Sequence, residues 1–273
     1  MNSPRRYGDV LVLPAAGSRH LAIACDSLGG IGPKPGDTVR ASGYVVGRFS
    51  CRVPLMELLA LGAEPVAISC CLCVEPEPLG REIMTGVREE LRAAGLAEAV
   101  SLTGSTEKNV ATSQTGVGMT VVGMIGPARW GLAGAGDLVL AVGEPRVGGA
   151  VALDDRAVAD IPTLRLILGH SAAGDVVPVG SRGIAAEARD LAFRSGLCFV
   201  PAPSCILDLA ASAGPSTVLL VTAAPGLRQA VERHLAGSGR PVHLIGTLGR
   251  SDGGTPQPVE GNALWAGERG WSV

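Results

Sequence analysis

Acidic and basic side chains occur at three places in this 273-residue chain where their types and spacing could do chemistry. At the first, Asp26 follows a strand-like run and leads into a glycine-rich loop, Gly29 to Gly32, that ends near Lys34. Such a loop can hold a metal ion on the carboxylate, while its backbone amides and the ammonium contact phosphate groups. An ordinary β-turn explains a glycine-rich loop about as often, so this segment alone is weak evidence for a phosphate site.

The second place is Glu57, a single acidic residue inside the apolar run 53–61. A charge within the apolar stripe of a helix is costly unless it is paired or bound to a metal. Glu57 is therefore a candidate metal ligand, and the alternative is that it faces solvent.

The third place is a polar segment that follows the strand-like run 100–102 and precedes a glycine-alternating strand, 115–120. Hydroxyl, carboxylate, ammonium and amide groups are denser here than a turn requires. The segment predicts a binding site formed by Gly104, Ser105, Thr106, Glu107, Lys108 and Asn109.

Composition excludes several classes of protein. The net charge is −2 and only 3% of residues are aromatic, so a nucleic-acid-binding protein is not expected. The longest uncharged stretches are broken by Gly, Pro, Ser and Thr, and no signal peptide is recognisable; we expect neither a transmembrane helix nor export. The seven cysteines predict reduced thiols in a cytoplasmic protein, and the cluster Cys70, Cys71 and Cys73 is interpreted as buried strand thiols.

Common catalytic motifs are missing from the sequence. It has no Walker A motif, no Gly-x-Ser-x-Gly and no His-Glu-x-x-His, which argues against common hydrolases and P-loop enzymes. The four histidines are dispersed and are interpreted as surface or packing residues.

Alternating strand-like and helix-like segments predict two α/β or α+β domains. Predicted strands cover 10–14, 21–25, 43–46, 66–74, 100–102, 117–125, 138–142, 217–222 and 242–248. Predicted helices, most of them ending at a glycine, cover 53–61, 79–94, 163–168, 184–195, 206–213 and 227–236. Because the segment 126–136 is rich in glycine, we predict an N-terminal domain over 1–128, a C-terminal α/β domain over 136–250 and a surface tail over 251–273.

Taken in order, these segments resemble the superfamily of aminoimidazole ribonucleotide synthetase, thiamine-monophosphate kinase, selenophosphate synthetase and the hydrogenase-maturation carbamoyl dehydratase. The resemblance covers most of the chain. It is carried by the acidic glycine loop at Asp26, by the segments Glu57 to Pro65 and Gly104 to Glu107, and by Gly136 to Gly143 and Gly214 to Thr222.

This resemblance implies ATP and Mg²⁺ as cofactors, and a homodimer in which the N-terminal domains of both subunits form a β-barrel. Two departures change the expected metal site. Thr106 stands where the family has an acidic residue, with Glu107 one place later, and the family's doubled aspartates are reduced to the single Asp26. Magnesium accepts water and nucleotide oxygens as ligands, so fewer carboxylates do not abolish binding.

Three stretches look most like the α-ribazole kinases of cobamide salvage, which phosphorylate the 5′-hydroxyl of α-ribazole. They are Asp26 to Gly32, Thr103 to Asn109 and Gln114 to Gly118. The alternatives are a phosphotransferase similar to thiamine-monophosphate kinase, which needs more carboxylates, and a non-catalytic nucleotide-binding protein.

The resemblance assigns a role to each candidate residue. Mg²⁺ is expected on Asp26, Glu57 and Glu107, with Asp26 or Glu107 orienting the acceptor hydroxyl. The nucleotide phosphates are expected near Gly29, Gly30, Gly32, Lys34, Gly104, Ser105, Thr106 and Lys108. The acceptor is expected to contact Ser27, Asn109 and an aromatic ring, Tyr44 or Phe49.

Overall fold

The computed structural model describes residues 3–15 and 17–250, and these divide into two compact units. The predicted tail, 251–273, lies outside the described residues. One unit comprises the chain up to Ala128 together with Val147–Asp155 and Asp160–Pro162; the other comprises Arg129–Arg146, Arg156–Ala159 and the chain from Thr163 onward.

The first unit is built on a six-stranded sheet of order β1-β2-β3-β8-β6-β7, antiparallel except for the parallel pair β6 and β7. A separate parallel pair joins β4 and β5. The strands are β1 (Arg5–Tyr7), β2 (Val10–Pro14), β3 (His20–Gly29), β4 (Ile31–Gly32), β5 (Val39–Arg40), β6 (Glu64–Leu72), β7 (Ser101–Thr106) and β8 (Gly116–Ile125). The helices are α1 (Gly43–Leu61) and α2 (Arg81–Ala93).

Helix α1 packs on one face of this sheet, and α2 packs on α1. Side chains on that face, such as Ala22, Ile68 and Val121, are fully buried. Successive strand residues point to opposite faces. The other face, which we refer to as the open face, therefore carries Ile23 and Val122, and both are half-buried.

Helix α1 begins ten residues earlier than the sequence pattern predicts, so the strand predicted over 43–46 is wrong. The Ser42 hydroxyl accepts the Val45 N–H at 3.3 Å and caps the helix, whose C-terminal end is the predicted Gly62, with φ 89°. Two consecutive β-branched valines and the proline at position 54 concealed this helix, because both lower helix propensity. Burial of thirteen of its nineteen residues outweighs those costs.

Helices α1 and α2 approach each other closely at glycines. A Cβ at Gly47 would lie 1.9 Å from the Ile83 carbonyl oxygen, and one at Gly86 would lie 2.1 Å from the Tyr44 carbonyl oxygen. We therefore expect Gly47→Ala to lower the free energy of unfolding by about 1–3 kcal/mol or more, measured by urea denaturation. Gly126→Ala is the control, because nothing lies within 4 Å of its Cβ position. Equal stability of the two variants would contradict the close helix packing.

The second unit contains an antiparallel five-stranded sheet of order β10-β12-β9-β13-β11. Its strands are β9 (Leu138–Val142), β10 (Val176–Pro178), β11 (Leu197–Pro201), β12 (Leu219–Ala223) and β13 (Val242–Arg250). The helices after β9 are α3 (Ile161–Leu168), α4 (Ile184–Arg194) and α5 (Arg228–Ala236). Strand β9 has the bounds that the sequence predicts, whereas β10 and β11 were not predicted.

The helix predicted over 206–213 is wrong, because this segment is irregular. The Asp208 carboxylate accepts the Ala210 N–H at 3.0 Å, and the Leu209 carbonyl accepts an N–H from Ala185 at 2.8 Å. An aspartate that bonds the backbone two residues on favours a turn over a helix. Among the described residues, none of the helices combines the length and apolarity needed to cross a bilayer.

Candidate functional site

Two of the three predicted polar segments begin inside strands rather than after them. Strand β3 continues to Gly29, so Asp26 and Ser27 are strand residues, and β7 includes Gly104 to Thr106. Asp26 pairs with Met119 on the face that α1 covers, and Ser27 pairs with Gly118 on the open face. The two side chains therefore point to opposite faces of the sheet.

Asp26 is a half-buried carboxyl group with no ion pair among the described residues. Burial raises its pKa above the ordinary value of 3.8, the Ser27 backbone N–H lowers it, and repulsion from Asp9 raises it further. Because the ionised form is disfavoured in the free protein, a cation bound at this carboxylate would relieve an existing electrostatic cost.

The loop between β4 and β5 is attached to the segment before β8 through Asp37. The Asp37 carboxylate accepts the Thr115 backbone N–H and its hydroxyl, both at 2.7 Å, and the Lys34 N–H at 2.8 Å. Burial would raise the pKa of Asp37, but these hydrogen bonds outweigh it and hold the pKa below its ordinary value. These bonds join the loop that contains Lys34 to Thr115, the residue before β8, at one end of the sheet.

A second connection between the same two segments runs through Glu75, which follows β6. Its carboxylate accepts hydrogen bonds from the Lys34 ammonium at 2.5 Å and from the Thr112 backbone N–H at 3.0 Å. The ammonium also donates to the Thr112 carbonyl at 2.8 Å. The hydrogen bond from Lys34 lowers the pKa of Glu75 to about 2, so the pair is ionised at neutral pH.

Glu107 lies next to Glu75 and is held by the backbone that follows it. Its carboxylate accepts N–H groups from Asn109 at 2.7 Å and Val110 at 3.2 Å, and these bonds lower its pKa. Its own N–H donates to the Leu72 carbonyl, which fixes this turn to β6. The exposed Lys108 ammonium has no hydrogen-bond or ion-pair partner in the described part of the chain.

The predicted phosphate-binding glycines occupy different environments. The Gly30 N–H donates to the Thr115 carbonyl at 2.9 Å, and a Cβ at Gly32 would lie 2.2 Å from the Thr115 hydroxyl oxygen. A Cβ at Gly104 would lie 2.4 Å from the Cys70 carbonyl oxygen. Gly32 and Gly104 therefore permit close packing of the protein itself, whereas Gly30 has no atom within 3.8 Å of its Cβ position and is favoured by its positive φ of 70°. Of these four glycines, Gly29 is the one with no atom within 4 Å of its Cβ position.

The aromatic residues predicted to contact the acceptor lie in the helix pair instead. The Tyr44 hydroxyl accepts an N–H from Arg48 at 2.9 Å, and Phe49 is buried under the Arg52 guanidinium at 4.6 Å. Glu57 lies half-buried near the end of α1, where it is engaged within the protein. A pattern of residue types could not show that these rings pack against arginines.

The cysteine cluster differs in part from its prediction. Cys70 is buried, and burial raises its pKa to about 11. Cys71 is exposed, because every second residue of β6 points to the open face, and Cys73, just after β6, is also exposed. The exposed Cys25 lies on the same face, opposite Thr120.

The three carboxylates predicted to hold magnesium do not form a ready-made cage. Within residues 3–15 and 17–250, no three His, Cys, Asp or Glu side chains are grouped so that they could hold a metal ion. The donor chemistry still suits Mg²⁺, which takes one or two carboxylates and completes its shell with phosphate oxygens and water. The carboxylates therefore fit a metal that arrives with a nucleotide.

Sequence reasoning missed Glu75 and Asp37. Both lie outside the motifs that carry the resemblance, and their partners are 37 and 78 residues away in the chain. One feature of the sequence pointed to Glu75: it directly follows the strand-like run 66–74 and precedes prolines at positions 76 and 78.

Residues 7–125 match the family described as AIR synthase related protein, N-terminal domain. No curated protein matches the sequence of this chain.

One solved structure is the thiamine-monophosphate kinase from Stenotrophomonas maltophilia K279a, which is 19% identical over 93% of this chain and 92% of that one, with a TM-score of 0.60. T. maritima PurL complexed with ADP is 13% identical over 92% of this chain, with a TM-score of 0.66, and this chain spans 44% of its length. AaThiL complexed with AMPPCP and TMP is 16% identical over 89% of this chain and 85% of that one, with a TM-score of 0.59. The chain has the AIR synthase-like fold with both α and β elements.

Proposed function

We propose that this chain, whose N-terminal domain belongs to the AIR synthase related family, is an ATP-dependent phosphotransferase that phosphorylates the 5′-hydroxyl of α-ribazole. One observation carries the proposal. Of the three segments that resemble α-ribazole kinases, those starting at Asp26 and Gln114 meet at one end of the N-terminal sheet, where the Gly30 N–H donates to the Thr115 carbonyl at 2.9 Å and Gln114 bonds the nearby Gly36 carbonyl at 2.6 Å. The segment starting at Thr103 pairs with β6, and its last residues are fixed there by the Glu107 N–H, which donates to the Leu72 carbonyl.

ATP as the phosphoryl donor is supported by solved structures of the same fold, two of which hold ADP or AMPPCP. We propose that Mg²⁺ ions, bound with the nucleotide, are each held by one or two of the carboxylates Asp26, Glu57 and Glu107. When bound, the metal ion would neutralise charge on the phosphate oxygens.

Positioning and charge stabilisation provide most of the catalysis in phosphoryl transfer, so a strong base is not required. In the proposed mechanism Asp26 or Glu107 orients the acceptor hydroxyl. Lys108 contacts the transferring phosphoryl group, because its ammonium is exposed while that of Lys34 is bonded to Glu75. The hydroxyl of Ser27 and the amide of Asn109 are proposed to bind the acceptor.

Three candidate functions give different results in an ADP-release assay with Mg²⁺ and ATP. The α-ribazole kinase releases ADP only with α-ribazole. A phosphotransferase similar to thiamine-monophosphate kinase responds to thiamine monophosphate instead, an acceptor suggested by AaThiL complexed with AMPPCP and TMP. A non-catalytic nucleotide-binding protein binds ATP and releases no ADP with either acceptor.

The exposed Lys108 gives a prediction about nucleotide binding. Lys108→Gln should lower kcat/KM for ATP about ten- to a hundredfold, the usual effect of losing a hydrogen bond to a charged group. Arg92→Gln is the control, because Arg92 is exposed and pairs with Glu89 on α2. Steady-state kinetics at varied ATP concentration measure both, and unchanged kinetics in Lys108→Gln would remove this side chain from the site.

A homodimer formed through the N-terminal domain is also proposed, with the open face as the contact. Val122→Glu would place a carboxylate in that contact, at a cost of several kcal/mol, so we expect monomers by sedimentation. Val110→Glu is the control, because Val110 is 64% exposed in a loop. A wild-type protein that sediments as a monomer would contradict this part of the proposal.

A further inference from the structure

The chain contains only two lysines, Lys34 and Lys108, and both lie at the candidate site. The other 21 of its 23 basic residues are arginines. Two ammonium groups so placed could share one function, such as contacting phosphate. Their surroundings differ so strongly that they indicate two separate functions.

Lys34 is fully engaged by the protein. Its side chain is 13% exposed, and its ammonium bonds the Glu75 carboxylate and the Thr112 carbonyl. Its backbone is also fixed, because its N–H donates to Asp37 and its carbonyl accepts an N–H from Arg40 at 2.6 Å. For Lys34 to reach a phosphate, this ion pair would have to break.

Glu75 connects three separate segments. Through its two carboxylate oxygens it bonds Lys34 in the loop between β4 and β5 and Thr112 in the loop after β7, while Glu75 itself follows β6. Asp37 and the Gly36 backbone attach the same loop farther along, at 113–115. These contacts hold the segment from Glu107 to Thr115 at its C-terminal end, and the Glu107 N–H, which donates to the Leu72 carbonyl, holds the other end.

Lys108 lies at the start of that held segment and has no bonded partner in the part of the chain described. The residues on either side of it are fixed, because Glu107 bonds the Asn109 and Val110 N–H groups. The backbone of Lys108 is ordered by its neighbours while its ammonium is free to meet an anion.

We infer that Glu75 is a positioning residue: it holds Lys34 as a tie between the β4–β5 loop and the loop after β7, and so leaves Lys108 as the ammonium that contacts the nucleotide phosphates. The role of Glu75 in holding Lys34 depends on the contacts of Glu75 alone. The assignment of the phosphate contact rests on the proposed function.

Residue-resolved acetylation tests this inference, because only two side chains can react with an amine reagent such as N-hydroxysuccinimidyl acetate. The full-length protein is treated in amine-free buffer, with and without Mg²⁺ and ATP, and each lysine is followed by peptide mass spectrometry. The variants are Glu75→Gln and the control Glu77→Gln, since Glu77 is exposed and pairs with Arg81. Circular dichroism verifies that each variant is folded.

Lys34 of the wild-type protein should react at least about tenfold more slowly than Lys108, the difference expected from one hydrogen bond between charged groups. Glu75→Gln should remove most of that difference and raise the ATP concentration that half-protects Lys108, while Glu77→Gln should change neither. ATP should protect Lys108 and leave the rate at Lys34 unchanged. Disorder of the site would not by itself make protection by ATP specific to Lys108.

Equal rates at the two lysines of the wild-type protein would overturn the inference without any variant. So would an unchanged, slow Lys34 in folded Glu75→Gln, or protection of Lys34 by ATP. If ATP protects neither lysine but Glu75→Gln still exposes Lys34, the tie is correct and the proposed nucleotide site is wrong.

Discussion

Replacing Asp26 with asparagine is expected to lower acceptor-dependent ADP formation about a hundred- to a thousandfold, the usual effect of removing one group that stabilises charge in a transition state. The same change should make the free protein more stable at neutral pH. Asn keeps the size of the side chain and removes its charge. A loss of activity together with a gain of stability distinguishes a functional carboxylate from a structural one.

The gain of stability follows from the pKa of Asp26, which burial raises above 3.8. As pH rises through 3.8, the unfolded chain loses this proton before the folded protein does, so folding stability falls until the pH passes the higher, folded pKa. Asp26→Asn escapes this loss. It should therefore be more stable than wild type at neutral pH and show no such gain below pH 3.8.

Urea unfolding at several pH values, without Mg²⁺ and ATP, measures this difference, and the ADP-release assay measures activity. Asp9→Asn is the control, because the Asp9 side chain is 71% exposed and adds only a minor repulsion at Asp26. Unchanged ADP formation in Asp26→Asn would remove Asp26 from the mechanism. A loss of stability at neutral pH would contradict the account of its environment.

The second large effect concerns Glu90, a fully buried carboxylate between α1 and α2. It accepts hydrogen bonds from Arg48 at 2.6 Å and from Arg52 at 2.8 and 3.1 Å. Glu90→Ala removes the buried carboxylate that pairs with the 3% exposed Arg52 side chain. We expect the free energy of unfolding to fall by about 3–5 kcal/mol, measured by urea denaturation.

Glu89→Ala is the matched control, because the neighbouring Glu89 forms an exposed pair with Arg92 on the same helix. Exposed pairs contribute about 0–1 kcal/mol, so this variant should be nearly as stable as wild type. The double variant Arg52→Met with Glu90→Leu should recover part of the stability, since apolar residues can replace a buried ion pair. A loss below about 1 kcal/mol in Glu90→Ala would show that the pair is hydrated in solution.

Local signals in the sequence predicted much of the fold. The glycines at positions 62 and 95 end α1 and α2 because each adopts a positive φ, and the four-residue spacing of Ile83, Val87 and Leu91 correctly predicted the buried face of α2. Local signals failed at 43–46, where tertiary packing overrides the preference of valine for strands.

The candidate site could be predicted only in part, because its geometry depends on pairs that are distant in the chain. The glycine loop and the polar segment after β7 were recognisable from residue types. That Lys34 bonds Glu75, and that Tyr44 bonds Arg48, depends on which side chains meet after folding. Residue type gives the chemistry available to a side chain but not its partner.

The proposed α-ribazole kinase activity is tested most directly by identifying the product formed from ATP and α-ribazole. Phosphorus NMR and mass spectrometry are applied after incubation of the wild-type protein with both compounds and Mg²⁺. We expect α-ribazole heavier by one phosphoryl group, with its phosphorus coupled to the 5′-methylene protons, and an equal amount of ADP. Unmodified α-ribazole after incubation with an enzyme that binds ATP would contradict it.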